Sequence, residues 1–284
     1  MHCPSCKSRN LITEPVLKCN DCSYEFVLNP SLSLLWSDSS IHDLAENTKE
    51  SGTSRYTLEG LLFQAMKENR KSRATNRIFL IISLVLVLFS SDWFSWGFIP
   101  LWLTLILSFG PFTFWAMENT KLNKITKFTD LRKAMELWVL SKNSLPGFLT
   151  GSENSVLETL KQEEFRQSAI IVKDKLTQQW LIENGLSGVI EADIISLEDF
   201  NVDSLKNDSE TKIFLLEKGV SEEIKNHNAK FIGLSESSKK FLVQKFSWEE
   251  KEFPIHALPY KLVEDKLLNS FQSGKEFHIS TSEI

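Results

Sequence analysis

Residues Ile78 to Met117 read IFLIISLVLVLFSSDWFSWGFIPLWLTLILSFGPFTFWAM, forty positions with a single formal charge, Asp92, near the centre. About 20 apolar residues cross a bilayer core, so the stretch is about twice as long as one crossing requires. The SSDWFSWG segment, with Ser, Asp and Gly together, reads as a turn between two apolar halves. The expectation is a transmembrane helical hairpin over 78–117, descending from Ile78 to about Phe94 and returning from about Gly97 to Met117.

The first half is short. Its seventeen residues would cover about 25 Å as a helix, slightly under the usual hydrocarbon thickness. Starting the helix at Ala74 or Asn76, with Arg77 snorkelling, closes the gap. The competing readings are a buried core hairpin of a soluble protein or a re-entrant loop. The tryptophans favour crossing: Trp93, Trp96 and Trp115 fall near the expected span ends, as in an interfacial belt, whereas Trp102 is too deep for one.

The flanks predict orientation. Lys67, Arg70, Lys71, Arg73 and Arg77 precede the stretch, Lys121, Lys124, Lys127, Arg132 and Lys133 follow it, and the turn carries no Lys or Arg. The positive-inside rule then puts both termini in the cytoplasm and the turn outside. A two-span cytoplasmic-membrane protein follows, with the bilayer as partner and basic flanks suited to anionic headgroups. No basic-then-apolar signal peptide opens the chain, so the hairpin itself is the expected targeting signal.

The chain has 284 residues and a net charge of −5, with the acidic excess in residues 118–284. Neither side of the hairpin has the basic excess of a general nucleic-acid binder. Glycine is scarce, 11 residues in all, which disfavours glycine-rich phosphate loops.

All four cysteines lie at the N-terminus, as Cys3-Pro-Ser-Cys6 and Cys19-Asn-Asp-Cys22. Each pair can wrap a tight turn around one ion, and the intervening residues allow the turns to meet. Four thiolates make a closed tetrahedral shell that suits one structural zinc and leaves no position for a catalytic water. A soft sulfur set disfavours magnesium or calcium. The rivals are two disulfides, which the expected reducing compartment disfavours, and a rubredoxin-type iron centre. His2 adjoins Cys3 and is the one substitute ligand nearby. Lys7, Arg9 and Lys18 are offset by Glu14, Asp21 and Glu25, and Tyr24 with Phe26 suits a small core better than a base-stacking platform. A protein contact or a purely structural role is therefore favoured over nucleic acid.

The remaining chain divides into a zinc ribbon at 1–28, a helical and turn-rich connector at 29–77, the hairpin, a helical linker at 118–167, a Rossmann-like cytoplasmic domain at 168–272 and a tail at 273–284. In the connector, Ile41 to Thr48 is helical. Thr57 caps a helix carrying Leu58, Leu61, Leu62, Ala65 and Met66 on one face, for packing or for a partner. Lys127 to Lys142 repeats that amphipathic pattern, residues 144–155 form a linker and Val156 to Phe165 a helix. From Ala169 the period changes. Ala169–Val172, Val189–Ile190 or Ile194–Ile195, Lys212–Leu216, Phe231–Leu234 and Pro254–Leu258 read as strands. The intervening helices cover Lys175–Asn184, Ser221–Asn228, Ser237–Phe246 and Tyr260–Phe271, and the last dozen residues fray. Strand–helix alternation predicts an α/β doubly wound, mainly parallel sheet.

Ligands of such sheets lie beyond the carboxyl ends of the strands. The polar residues expected there are Lys173, Asp174, Asp193, Glu217, Lys218, Ser235 and Glu236. Asp174 and Glu217 could hold magnesium and the neighbouring lysines a phosphate, as in receiver-like or topoisomerase-primase-like domains. The plainer alternative has Asp174 and Ser235 capping helices and Glu217 in solvent. No phosphate loop, nucleophile elbow or zinc-protease helix motif is present, and the knuckles use every cysteine. His227 and His256 are isolated.

The two knuckles, Phe26-Val-Leu-Asn-Pro30, SGTSRYTLEGLLF at 51–63, the hairpin and IIVKDKLTQQWLIENGL at 170–186 together resemble a group of bacterial membrane proteins with an N-terminal zinc ribbon, a two-helix membrane hairpin and a C-terminal Rossmann-like domain. The resemblance implies a fold and a location and carries no activity with it. The function expected is a membrane-anchored, non-enzymatic interaction or regulatory module with a protein partner on the cytoplasmic side. The alternatives are a magnesium-dependent enzyme or sensor of phosphate or nucleotide, and nucleic-acid binding through the ribbon.

Overall fold

The computed structural model describes residues 2–10, 18–28, 36–68, 70–71, 78, 81, 128–140, 145–149, 168–200, 212–217, 224, 229–250 and 252–284. Among them no helix is long and apolar enough to cross a membrane. The predicted hairpin lies outside the described residues apart from Ile78 and Ile81, which are helical and exposed. The expected helices at 156–165 and 221–228 also fall outside, Ile224 excepted.

The C-terminal part is mixed α/β around a parallel sheet. Strands β1 (Ser168–Val172), β2 (Asp193–Ser196), β3 (Lys212–Leu215) and β4 (Lys230–Phe231) lie in the order β2-β1-β3-β4. Every pairing is parallel, with Ile170 opposite Ile194 on one side and Phe214 on the other. Ala169 to Val172 are wholly buried, because β1 is central and covered on both faces. A further position is filled at the outer edge. Phe277 donates its amide to the Gly233 carbonyl and accepts from the Ser235 amide, in a parallel bridge beside Leu234. The last dozen residues therefore pack rather than fray, with Phe277 and Ile279 buried.

One strand expectation resolves to the second of its alternatives, and one is corrected. Val189 belongs to a single helical turn, Leu186–Val189, and β2 is the later run. Pro254–Leu258 forms no strand but a 3-10 turn over Ile255–Ala257, closed by Ala257 and Leu258 amides on the Pro254 and Ile255 carbonyls. A short apolar run cannot be told from a buried turn by its pattern.

Helix α1 spans Asp38–Glu50 behind a reciprocal Ser37–Ser40 capping box. Helix α2 covers 58–68 and continues at 70–71. Thr57 caps it, its hydroxyl accepting from the Gly60 amide and donating to the His256 carbonyl. The apolar stripe of α2 is packing surface: Phe63 meets Phe246 and Phe253 at ring separations of 4.7 and 5.7 Å. Helix α3 is Phe128–Leu140, α4 Lys175–Glu183, α5 Glu236–Phe246 and α6 Tyr260–Ser273.

These pieces share one core. A single apolar cluster runs from Leu28, Trp36 and Ile41 through Leu61, Phe63 and Trp138 to Ile170, Trp180, Leu242 and Val263. The 51–57 segment holds it together. Thr53 accepts from the Tyr260 amide, Arg55 pairs with Glu183, and the Asn184 carboxamide accepts from the Arg55 amide and donates to its carbonyl. Tyr56 bridges in parallel to Phe148, both of its backbone groups bonded to residues 147 and 149. Residues preceding the apolar stretch and residues following it are thus parts of one packed body.

Candidate functional site

Each C-x2-C pair closes a knuckle of the same design. The Cys3 amide donates to the Ser8 carbonyl and the Cys19 amide to the Tyr24 carbonyl, at 2.9 and 2.7 Å. Lys7 and Ser23, each four residues past the first cysteine of its pair, take φ near +60° to turn the chain. Short antiparallel bridges, His2 with Arg9 and Lys18 with Glu25, close the two loops.

The four sulfurs converge within 4.8 Å of one another, with Cys3–Cys22 and Cys6–Cys19 both at 3.5 Å. A disulfide would bring a pair to about 2.05 Å. Four thiolates about 2.3 Å from one ion stand about 3.8 Å apart, so the spacing fits a tetrahedral metal centre. His2 is exposed and outside the cluster.

The surroundings favour thiolates at Cys6 and Cys19. Ser8 lies 3.1 Å from Cys6 Sγ and 3.4 Å from Cys19 Sγ, and Asn10 Nδ2 donates to Cys19 Sγ at 3.3 Å. The Ser8 hydroxyl, with backbone amides and Asn10, brings the Cys19 thiol down to about 5. Cys6 is also lowered, chiefly by Ser8. Cys3, buried against Phe26, is pushed up to about 12, the cost that a cation in the cluster would offset. Asn10 also accepts from the Asn20 amide, tying one knuckle to the other. Asn10 and Ser8 have no motif signature, and sequence reasoning passed over both.

A third residue it missed is Asp38. Fully buried at the start of α1, it accepts from the Val27 and Leu28 amides at 2.8 and 2.9 Å and from the Tyr24 hydroxyl at 3.1 Å. Burial raises its carboxyl above the ordinary range, and the three donors oppose that rise. Tyr24 stacks edge-on against Phe26 and His42, and His42 against Trp138 of α3. The knuckles are thereby fastened to the body. Lys7 pairs with Asp43 and Lys18 with Glu25, so two of the ribbon's three basic side chains are engaged.

The sheet's switch point lies between β1 and β3, from which connections leave in opposite directions. At its carboxyl edge Asp174 caps α4, accepting from the Thr177 amide at 2.7 Å and the Thr177 hydroxyl at 3.0 Å. Ser235 caps α5 and meets His278 Nδ1 at 2.7 Å. Lys173 is held by Glu252 at 2.9 Å. Asp193 stands at the amino end of β2, not its tip, because the strand starts there. Glu236 opens α5 beside Lys239, and Lys218 lies outside the described residues.

Glu217 departs from the expectation of a solvated side chain. Its Oε2 is buried with no hydrogen-bond partner among the described residues. Burial, and then the Asp174 carboxylate, raise its carboxyl above the ordinary range, while Lys239, Lys173 and His256 act against them. His256 links this edge to α2, with Nδ1 2.9 Å from the Thr177 hydroxyl and Nε2 3.4 Å from Glu59 Oε2. The Thr177 proton goes to Asp174, so His256 Nδ1 is the donor to Thr177. The 3.4 Å contact lacks hydrogen-bond geometry, and Glu59 Oε2 has no hydrogen-bond partner among the described residues. Burial would raise Glu59, and His256 beside it holds the carboxylate below its usual range.

Comparison of the chain with protein-family models, with curated proteins and with solved structures finds no match.

Proposed function

We propose that this chain is a membrane-tethered interaction module. A hairpin at 78–117 anchors it, a structural zinc held by Cys3, Cys6, Cys19 and Cys22 rigidifies one end, and the α/β part presents a surface to a protein partner. The observation that carries the reading is the shared core. Helices α1 and α2 precede the apolar stretch, α3 and the sheet follow it, and all bury side chains in one cluster. Segments packed in one body stand on one side of a membrane, so the stretch between them crosses an even number of times. Two crossings agree with its length and with its basic flanks.

Zinc, rather than another metal, is supported by four sulfur donors in a closed set, which leave no open position for chemistry at the ion. A module without catalysis is supported at the strand tips, where both Asp174 oxygens are committed to capping. Association of such a module with the resembled bacterial membrane proteins belongs to the same proposal.

A second reading has one observation in its favour. Glu217 Oε2, buried beside Asp174 and without a hydrogen-bond partner among the described residues, sits at the position where open α/β sheets bind ligands. In that reading magnesium with a phosphate or nucleotide occupies the switch point. Titration of the intact chain with magnesium and nucleoside phosphates separates the two. The tether reading expects no saturable binding. Binding lost in Asp174→Ala and Glu217→Ala chains that remain folded would install the sensor or enzyme reading in its place.

A further inference from the structure

Four cations gather at the C-terminal end of α2, the end that leads in sequence to the apolar stretch. Lys67, Arg70 and Lys71 recur at intervals of three and four, which puts them on one face of α2. Arg70 donates to the Lys245 carbonyl, and its guanidinium lies over the Phe246 ring at 5.4 Å. That contact brings the C-terminal end of α5 against α2 across 175 positions of sequence. Lys245 lies 5.2 Å from the Phe241 ring centroid, and Nζ reaches the Thr281 carbonyl at 3.5 Å.

Among the described residues, none of Lys67, Arg70 and Lys245 has an acidic side chain within ion-pair distance, although the chain as a whole is acidic. The nearest α2 acid, Glu68, instead accepts from Asn47 and Gln64. Burial together with Arg70 and Lys67 depresses the Lys245 ammonium, as expected of cations gathered without a counter-ion. The patch also lies close in sequence to the anchor. Seven residues separate Lys71 from Ile78 in numbering, so those two lie within about 25 Å whatever path the chain takes. Arg73 and Arg77 fall inside that interval.

We propose that Lys67, Arg70, Lys71 and Lys245 form a seat for anionic phospholipid headgroups, so that the α/β part lies against the membrane that holds the hairpin. This rests on the tethered reading and extends it, since Lys245 belongs to the C-terminal part and no flank of the apolar stretch contains it. Headgroup phosphates supply a counter-charge to Lys67, Arg70 and Lys245, and a juxtamembrane cluster is the arrangement that gathers them. A cluster of four cations suits headgroups better than the extended basic track a nucleic acid needs.

The test is lipid analysis by mass spectrometry of the full chain purified in mild detergent from membranes of mixed composition. Wild type should retain anionic over zwitterionic phospholipid by about fivefold relative to the bulk membrane. A chain with Lys67→Glu and Lys245→Glu should fall to the bulk ratio, whereas Lys245→Arg should keep the enrichment. Thermal unfolding of each variant controls for folding. Equal enrichment in wild type and the double variant, with both resistant to alkaline carbonate, would overturn the lipid seat alone. Release of wild type by alkaline carbonate would overturn the tether, and the seat with it.

Discussion

Asp38 joins the metal knuckles to the body, and its carboxylate has no substitute. Removing it strands the Val27 and Leu28 amides and the Tyr24 hydroxyl in a dry site. Unsatisfied buried donors cost about 1–3 kcal/mol each. Asp38→Ala should therefore lower stability by about 3 kcal/mol and release the ribbon from α1, which denaturant unfolding and proteolysis of residues 2–28 will register. Asn10→Ala is subtler. It removes the donor to Cys19 and leaves all four ligands in place, and loss of such supporting contacts typically weakens metal binding about 10–100-fold. Competition with a chelator measures the change. Glu217 gives a prediction of opposite sign. Its folded-state carboxyl is raised, so ionisation costs stability that is intact below the unfolded-state value and declines as pH rises through the folded one. Glu217→Gln should raise the melting temperature at pH 7, with the gain vanishing as pH falls through the carboxylate range. A loss of stability at pH 7 would mean that something in solution pairs with that charge.

At the scale of elements, close approach of backbones sets the strictest demand. A Cβ at Gly233 would stand 1.6 Å from the Leu216 carbonyl oxygen, so β4 could not pass beyond the end of β3. Gly233→Ala should cost at least about 3 kcal/mol and loosen the outer edge of the sheet, measurable by hydrogen exchange at residues 230–235. The C-terminal turn depends on Glu283, which takes the Ser280 amide and hydroxyl and pairs with Lys266. These contacts hold its carboxyl near 2, against an ordinary value of 4.5. A depressed carboxyl stabilises above its unfolded value, and that contribution is lost as pH falls through the folded one. Amides of residues 279–284 should lose protection, relative to their intrinsic exchange rates, as pH falls from 4.5 to 2, while those of β1 keep theirs.

What the sequence disclosed follows from the range of the interactions. The cysteines were legible because both pairs are local, and β1 because four consecutive apolar residues mark a strand covered on both faces. The caps at Thr57, Asp174 and Ser235 were legible for the same reason, a side chain acting three residues on. Asp38 and Asn10 were not, because their partners are backbone amides and a thiol ten or more positions away in most of these contacts. The burial of Glu217 depends on segments that return to the switch point from elsewhere in the chain, and Pro254–Leu258 has the composition of a strand without a neighbour to pair with. The edge position went to Phe277 instead.

For the whole molecule the governing fact is that one core collects side chains from both sides of the apolar stretch. The knuckles are a separate small cluster of Cys3, Cys19 and Phe26, joined to that core through Tyr24 and Asp38. Stripping the metal with a chelator should therefore unfold residues 2–28 and leave exchange protection in β1 and β3 unchanged; elemental analysis beforehand should find one zinc per chain, and iron at full occupancy would contradict the assignment. The shared core bears on topology more strongly than any count of lysines and arginines, since it forbids the two ends from lying across a membrane from each other. The direct test is a topology map with reporters fused before Met1, after Ile284 and at Asp92. Both termini should report the cytoplasm and Asp92 the far side; termini on opposite sides, or an internal signal from Asp92, would contradict the account.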